Sequence, residues 1–249
     1  MGGSGRVIGI FLQVRLQSTR LPGKALLSLP GGNVIEHTMR ALKMVPADFY
    51  VLVTEKKSIR ELAPCAEKEG FQTFVGPEND VLLRYVQAAR YFNITTVMRA
   101  TGDNPLVSPK LARDILDLHT LRKADLSHFI GMPLGLGVEV VETAALEKAE
   151  QDAVDPVERE HLTTHLYRHP ETYTILKAPC PGEYRLPDIH ISLDTEADYE
   201  LMRSLYNDIY TGIPITARSV VDWLKEHEEL YEKNRLPRET GTSRSRITS

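Results

Sequence analysis

Apolar positions along the chain follow two alternating rhythms. Short unbroken runs, RVIGIFLQV from Arg6 to Val14 and FYVLVT ending at Thr54, read as buried strands. Between them, NVIEHTMRALKM from Asn33 to Met44 sets Val34, Ile35, Met39 and Leu42 at helical spacing. The alternation continues with a helix over Lys57 to Glu69 and a short strand over Gln72 to Val75. A helix over Val81 to Tyr91, with Leu82, Tyr85, Val86 and Ala89 on one side, then leads to a strand over Thr95 to Ala100. Strands alternating with helices of this length predict an α/β fold on a mostly parallel sheet flanked by helices. Ligands of such sheets gather at the carboxyl ends of the strands. The loops after Val14, Thr54 and Ala100 are therefore expected to face one another.

From about Ala124 the rhythm changes. LSHFIGMPLGLGVEVVE predicts strands around a glycine-rich bend, and YTILKAP and HISLDT predict further strands around a helix at Pro156 to Arg168. Leu224 to Lys233 reads as a last helix. No repeat emerges. The pattern predicts one domain over residues 6–233, divided near 123/124 into two halves of different character. The closing RLPRETGTSRSRITS has almost no apolar content with which to offset its ordering entropy, so residues 234–249 are expected to be a disordered basic tail.

Composition narrows the class. With 42% hydrophobic and 26% charged residues, the chain resembles ordinary globular proteins and neither disordered nor membrane-spanning ones. It has no apolar stretch of the roughly 18 residues that a bilayer requires, and MGGSG lacks the features of a signal peptide. A formal charge of −4 gives no reason to expect nucleic acid as a partner, so any polyanion site must come from local clustering. Cys65 and Cys180 have no CxxC partner, which argues against a disulfide framework and fits a reducing cytoplasm.

Such a cluster follows the first strand. QVRLQSTRLPGK holds Arg15, Arg20 and Lys24 around Ser18 and a Pro-Gly turn. It is not a P-loop, because Ser18 stands where the first glycine belongs and Ala25 where the magnesium-binding hydroxyl belongs. Nor is it a dinucleotide fingerprint, since the early glycines precede the strand. Two guanidiniums, one ammonium and free loop amides can neutralise a triphosphate and offset charge on its leaving group. A solvated basic loop is the alternative. The strand near residue 100 ends in MRATGDNPLVSPKL, which places Asp103 where a carboxylate can hold magnesium against phosphate oxygens, or else cap a helix. In HISLDTEADYEL, Asp194 ends a predicted strand and Asp198 reads as a helix cap. Asp103 with Asp194 would make a two-carboxylate magnesium site facing the cationic loop, the apparatus of nucleotidyl transfer. EREHLTTHLYRH sets His161, His165 and His169 at i, i+4, i+8, a spacing that suggests zinc, but HLTTH lacks the central Glu of a metalloprotease.

The stretches RLQSTRLPGK, NDVLLRYVQAA, RATGDNPLVSP, GLGVEVVE, EREHLTTHLY and SLDTEADYEL, in that order over roughly residues 7–205, resemble the SpsF-type branch of the acylneuraminate and ketodeoxyoctonate cytidylyltransferases. The resemblance implies a Rossmann-like nucleotidyltransferase fold, with a nucleotide-binding half over 6–123 and a smaller acceptor-binding or dimerisation half over 124–233. It implies a Mg2+-dependent enzyme that uses CTP to activate a sugar or sugar acid as a CMP- or CDP-linked polysaccharide precursor, releasing pyrophosphate. A homodimer is left open. By motif position, Arg15, Ser18, Arg20 and Lys24 would hold nucleotide phosphates, Lys24, Arg15 and Asp103 would be catalytic, and Asp103 and Asp194 would hold the metal. Asp80 and Arg84 would lie on the nucleotide side, or form a helix cap with an i,i+4 ion pair. Arg99 and Thr101 would also contact nucleotide, or else make sheet-edge hydrogen bonds. Glu139 would meet the acceptor, or else be a polar residue alternating along a strand. Glu160 and His161 would face the acceptor, with His165 and His169 as solvated or core histidines. A metal-dependent glycosyltransferase is an alternative, although this chain has Gly102-Asp103-Asn104 in place of DxD. A non-catalytic nucleotide-binding assembly protein is another.

Overall fold

In the computed structural model, which describes residues 5–231, the first apolar run forms strand β1 (Ile8–Gln13). A small antiparallel hairpin follows, β2 (Ser28–Leu29) and β3 (Gly32–Asn33), and leads into helix α1 (Val34–Lys43). Asn33 starts α1 with a capping box: its side chain accepts from the Glu36 amide while the Glu36 carboxylate accepts from the Asn33 amide. Strand β4 (Phe49–Thr54), helix α2 (Ile59–Lys68), strand β5 (Gln72–Val75), helix α3 (Val81–Tyr91) and strand β6 (Thr96–Thr101) then appear close to the boundaries read from the sequence.

The second half supplies α4 (Pro109–Arg122), β7 (Leu126–Ile130), β8 (Glu139–Glu142), α5 (Thr143–Asp152), α6 (Pro156–Glu160), α7 (Thr164–Arg168) and β9 (Ile175–Pro179). Helices α8 (Glu196–Ile209), α9 (Ala217–Glu226) and α10 (Glu228–Tyr231) follow. Seven strands form one sheet in the order β5-β4-β1-β6-β8-β7-β9, in which β8 alone runs against its neighbours. The chain builds outward from β1 through β4 to β5, then returns to the other side of β1 as β6. The order therefore reverses at the β1/β6 pair, and the loops leaving these two parallel strands open a crevice there.

Helices cover both faces of the sheet, and the pleat of β1 shows how. Ile10 and Leu12 belong to one core with α1, α4, α8 and α9, while Phe11 between them packs into a second core with α3 and α5. All three are fully buried, so truncating Phe11 to Ala would cost about 3–5 kcal/mol. The framework behind the crevice is correspondingly stiff.

Several sequence expectations are corrected. HISLDT is not a strand; it meets the fold through one isolated bridge, His190 to Leu134. Its backbone groups are satisfied by loops instead of a ladder: the Ile191 amide donates to Leu134 and the Leu193 amide to Asp103. The helix expected over Pro156 to Arg168 is two short helices, because His161 adopts extended backbone at φ −108°, ψ 102°. Likewise α9 stops at Glu226, with His227 off the helical conformation before α10. Helices α4 and α5 have no counterpart in the pattern reading, although the buried faces Leu111, Ala112, Ile115, Leu116 and Ala145, Leu146, Ala149 are helically spaced. The tail expected over residues 234–249 lies outside the described residues. No described helix is long and apolar enough to cross a membrane.

Candidate active site

The cationic loop leaves β1 and is pinned at several points. Thr54 Oγ1 donates to the Val14 carbonyl at 2.8 Å, and the Leu16 amide donates to Ser58 Oγ at 2.9 Å. The Gly23 amide closes the loop on the Leu16 carbonyl at 3.1 Å. Gly23 itself sits at φ +66°, left-handed backbone that suits glycine, and launches the single 3-10 turn carrying Lys24. Lys24 is thereby aimed across the crevice.

On the other side, the Gly102 amide extends the β1–β6 pairing by donating to the Gln13 carbonyl at 2.8 Å. A Cβ at position 102 would lie 2.8 Å from Val14 Cβ, so only glycine permits this approach. Asp103 follows directly, and its carbonyl accepts from the Leu193 amide at 2.9 Å, which draws Asp194 alongside. Asp198 Oδ2 accepts from the amides of Asp194 and Thr195 at 2.9 and 2.7 Å, and its other oxygen lies 3.0 Å from His190 Nε2. The expected cap thus also orients Asp194.

These three supports bring one cation between two acids. Lys24 Nζ lies 2.6 Å from Asp103 Oδ2 and 2.7 Å from Asp194 Oδ1, and Arg20 Nη2 lies 3.1 Å from Asp194 Oδ2. The Lys24 side chain is only 13% exposed, whereas those of Arg15 and Arg20 are 57% and 58% exposed. Burial alone would depress Lys24, but Asp103 and Asp194 outweigh it and hold its pKa above the ordinary lysine value. Lys24 is therefore a fixed positive charge at neutral pH and not a proton acceptor.

A second polar network lines the wall toward β8. The register of β6 and β8 sets Arg99 opposite Glu139, and Arg99 Nη1 donates to Glu139 Oε2 at 2.8 Å. Arg99 Nε also donates to Gln13 Oε1 at 3.2 Å. Glu139 accepts further from the hydroxyls of Thr163, at 3.2 and 3.3 Å, and Tyr167, at 2.9 Å; Tyr167 reaches His128 Nδ1 at 2.6 Å. Burial, the largest single influence, favours protonation of Glu139, but Arg99, His128 and the Tyr167 hydroxyl together outweigh it and hold the carboxyl below its usual range. Burial and the Glu139 charge push the Tyr167 phenol far up, so it stays a donor. Burial lowers the pKa of His128.

The sequence profile of the family described as cytidylyltransferase matches residues 9–240. The chain belongs to the cytidylyltransferase family. It is thus a nucleotidyltransferase with the Rossmann-like fold of that family. It is 30% identical to the spore coat polysaccharide biosynthesis protein SpsF of Bacillus subtilis, over 88% of this chain and 94% of that protein. A cytidylyltransferase structure from Leptospira borgpetersenii superposes with a TM-score of 0.85 at 24% identity, covering 93% of this chain and 99% of that one. A CMP-2-keto-3-deoxy-manno-octonic acid synthetase complexed with CTP gives a TM-score of 0.61 at 15% identity, covering 82% and 99%.

The remaining sequence-designated residues of this cytidylyltransferase divide clearly. Ser18 Oγ accepts from the Leu21 amide at 3.3 Å and shapes the loop. The Thr101 hydroxyl accepts from Asn104 Nδ2 at 2.8 Å and tightens the turn around Asp103. Asp80 caps α3 through the Leu83 amide at 2.9 Å, but its ion pair is with Arg159 at 2.6 Å and not with Arg84. Arg84 is buried and donates to the Pro77 and Glu78 carbonyls at 2.5 to 2.8 Å, and burial lowers its pKa. Glu160 is exposed and lies 3.6 Å from Arg15, while His161 follows it at the break after α6. Two residues of the cytidylyltransferase crevice escape the sequence reading. Gln13, the polar last residue of an otherwise apolar strand, was the legible one. Glu55, buried after β4 and accepting from the Ser58 hydroxyl and the Lys57 amide, carries no signal in its surroundings.

Proposed function

We propose that this cytidylyltransferase transfers CMP from CTP to an oxygen of a sugar or sugar acid, making an activated precursor for a surface polysaccharide. The observation that carries the reading is Lys24 held between Asp103 and Asp194 at the strand-order reversal, with Arg20 on the same Asp194 and Arg15 exposed on the same loop. The printed names of the SpsF relative and of the CTP-bound octonic acid synthetase support the polysaccharide and sugar-acid sides of it.

In the reaction, an acceptor oxygen attacks the α-phosphorus of CTP as the bond to the β-phosphate oxygen breaks, so pyrophosphate leaves and no enzyme-bound intermediate forms. An anomeric hydroxyl as acceptor gives a CMP-sugar, its proton passing to solvent, and a sugar phosphate, already ionised, gives a CDP-sugar. Arg15 and Arg20 hold the phosphates and offset the charge that develops on pyrophosphate, on a loop whose own amides largely brace it internally. Lys24 supplies a fixed cation at the α-phosphate side of the crevice. Asp103 and Asp194, which both contact the Lys24 ammonium, are the carboxylates that would hold a magnesium ion. When bound there, such an ion would supply Lewis-acid polarisation of phosphate oxygens. Arg84 shapes the Pro77–Glu78 wall on the nucleotide side, and Arg99 and Glu139, locked together, form the wall that separates nucleotide from acceptor. Glu160 and His161 lie on the acceptor side.

The test is pyrophosphate release with four nucleoside triphosphates against a panel of sugar acids and sugar phosphates. Release with CTP in the presence of one acceptor class is expected. Transfer of sugar from a ready-made nucleotide sugar without pyrophosphate would replace this reading with a glycosyltransferase, and nucleotide binding with no turnover on any acceptor would replace it with a binding protein.

A further inference from the structure

Among α5, α6 and α7 lies a second cluster, which shares no residue with the Lys24, Asp103 and Asp194 group. The break at His161 takes that histidine out of the helical series and puts Glu158, from the preceding helix, in its place beside His165 and His169. One ligand atom from each of Glu158, His165 and His169 lies within 4.8 Å of the others. Glu158 and His165 are buried and His169 is partly so. Together with Lys148, Asp152 and Asp155 they line a cavity of about 400 Å³.

We propose that Glu158, His165 and His169 form a site for zinc or a chemically similar transition-metal ion, which clasps α6 to α7. Residues at i and i+4 stack on one helical face, and the two imidazole rings are 4.3 Å apart between centroids. Two imidazoles and a carboxylate are a donor set that zinc accepts, with a fourth position open to water from the cavity. Zinc bonds of about 2.0–2.2 Å put tetrahedral donors about 3.4 Å apart, so the cluster closes on an ion by small side-chain rotations.

The surroundings fit a cation. Arg168 Nη1 holds Glu158 Oε1 at 3.0 Å and Asp155 at 2.7 Å, which fixes the carboxylate while Oε2 faces His165 Nδ1 at 2.7 Å. Such an outer partner orients a metal-binding carboxylate. His169 likewise has a carboxylate neighbour, Glu171, 3.2 Å from Nδ1. The lining itself carries three acids, Asp152, Asp155 and Glu158, against one cation, Lys148, so the cavity favours a positive ion. When the ion enters, the proton joining His165 to Glu158 leaves to solvent or shifts to Nε2, and no protein bond breaks. The clasp is structural: α6 ends in Glu160, which pairs with Arg15, and the following segment carries Thr163 and Tyr167, which hold Glu139.

The whole chain, stripped with a chelator and free of nucleotide, is titrated with Zn2+ against a chromophoric competitor, and in parallel with Co2+. One tight equivalent of zinc and the intense visible absorption of four-coordinate cobalt are expected. His169→Asn, at a partly exposed position that folding tolerates, and Glu158→Gln should each weaken zinc binding by at least about tenfold, while Asp194→Asn should leave that equivalent intact. Absence of a tight equivalent in the unaltered chain, its survival in both variants, or its loss in Asp194→Asn alone would overturn the inference.

Discussion

Lys24 Nζ and Asp194 Oδ1 meet at 2.7 Å although 170 positions separate them in the chain, and the same ammonium lies 2.6 Å from Asp103. On the proposed reading, a divalent ion bound by the two acids would have to displace Lys24 from between them. Lys24→Met should lower turnover by about 10² to 10³, as loss of one transition-state charge stabiliser does. It should at the same time tighten Mn2+ binding by the nucleotide-free protein, read by electron paramagnetic resonance. Unchanged Mn2+ affinity would place the ion away from these carboxylates.

Asp103→Asn and Asp194→Asn should each reduce pyrophosphate release by about 100-fold or more, with a stability loss of only about 1–3 kcal/mol from the weakened Lys24 contact. Because both acids share Lys24, the double variant should lose less stability than the two single losses combined. Denaturant melts of the four proteins measure the coupling.

Gly102→Ala should be costly out of proportion to one methyl group. Its Cβ would press on Val14, 2.8 Å away, and push apart the β1–β6 pairing that carries Asp103. A stability loss of about 1–3 kcal/mol is expected, with a fall in kcat greater than any change in KM for CTP. Normal kinetics with reduced stability would separate the packing from the chemistry.

Glu139→Ala strands the Arg99 guanidinium among Gln13, Tyr167 and the strand backbones. Both side chains keep about a fifth of their exposure, so the expected loss is about 2–3 kcal/mol, below that of a fully buried pair. Tyr167→Phe removes one donor to the same carboxylate and should cost about 1 kcal/mol. Equal losses would mean that Tyr167, not Arg99, is the principal partner.

Burial, reinforced by Arg40, lowers the pKa of His37 to about 4, and its Nε2 is buried with no hydrogen-bond partner among the described residues. An unfolded histidine titrates near pH 6.5, so between there and pH 4 the unfolded chain takes up a proton that the folded chain refuses. The stability that neutral His37 contributes is complete above pH 6.5 and is lost as the pH falls toward 4, by about 3 kcal/mol. His37→Gln should flatten that part of the stability–pH curve measured by chemical denaturation.

The first half of the fold and the charged blocks of the site could be read directly. Strand and helix periods are set within single segments, so β1, α1, β4, α3 and β6 follow from the spacing of Ile10, Leu12, Val34, Met39, Leu82 and their neighbours alone. The same locality explains the errors. HISLDT has a strand's composition, but its amides find carbonyls at Leu134 and Asp103, two loops that no segment-level pattern can locate. Pro156 to Arg168 has a helix's spacing, but His161 leaves it.

By itself, then, the sequence determined the alternating α/β layout, the placement of Arg15, Arg20, Lys24 and Asp103 at strand ends, and membership in the family. Only the tertiary structure decided who pairs with whom: Lys24 with Asp103 and Asp194, Asp80 with Arg159 instead of Arg84, and Glu158 with His165 where His161 was expected. The reason is physical. Periodicity records which face of a segment avoids water, whereas the strength of a charge pair depends on a through-space distance that is set when the loops after β1 and β6 close on the turn before α8.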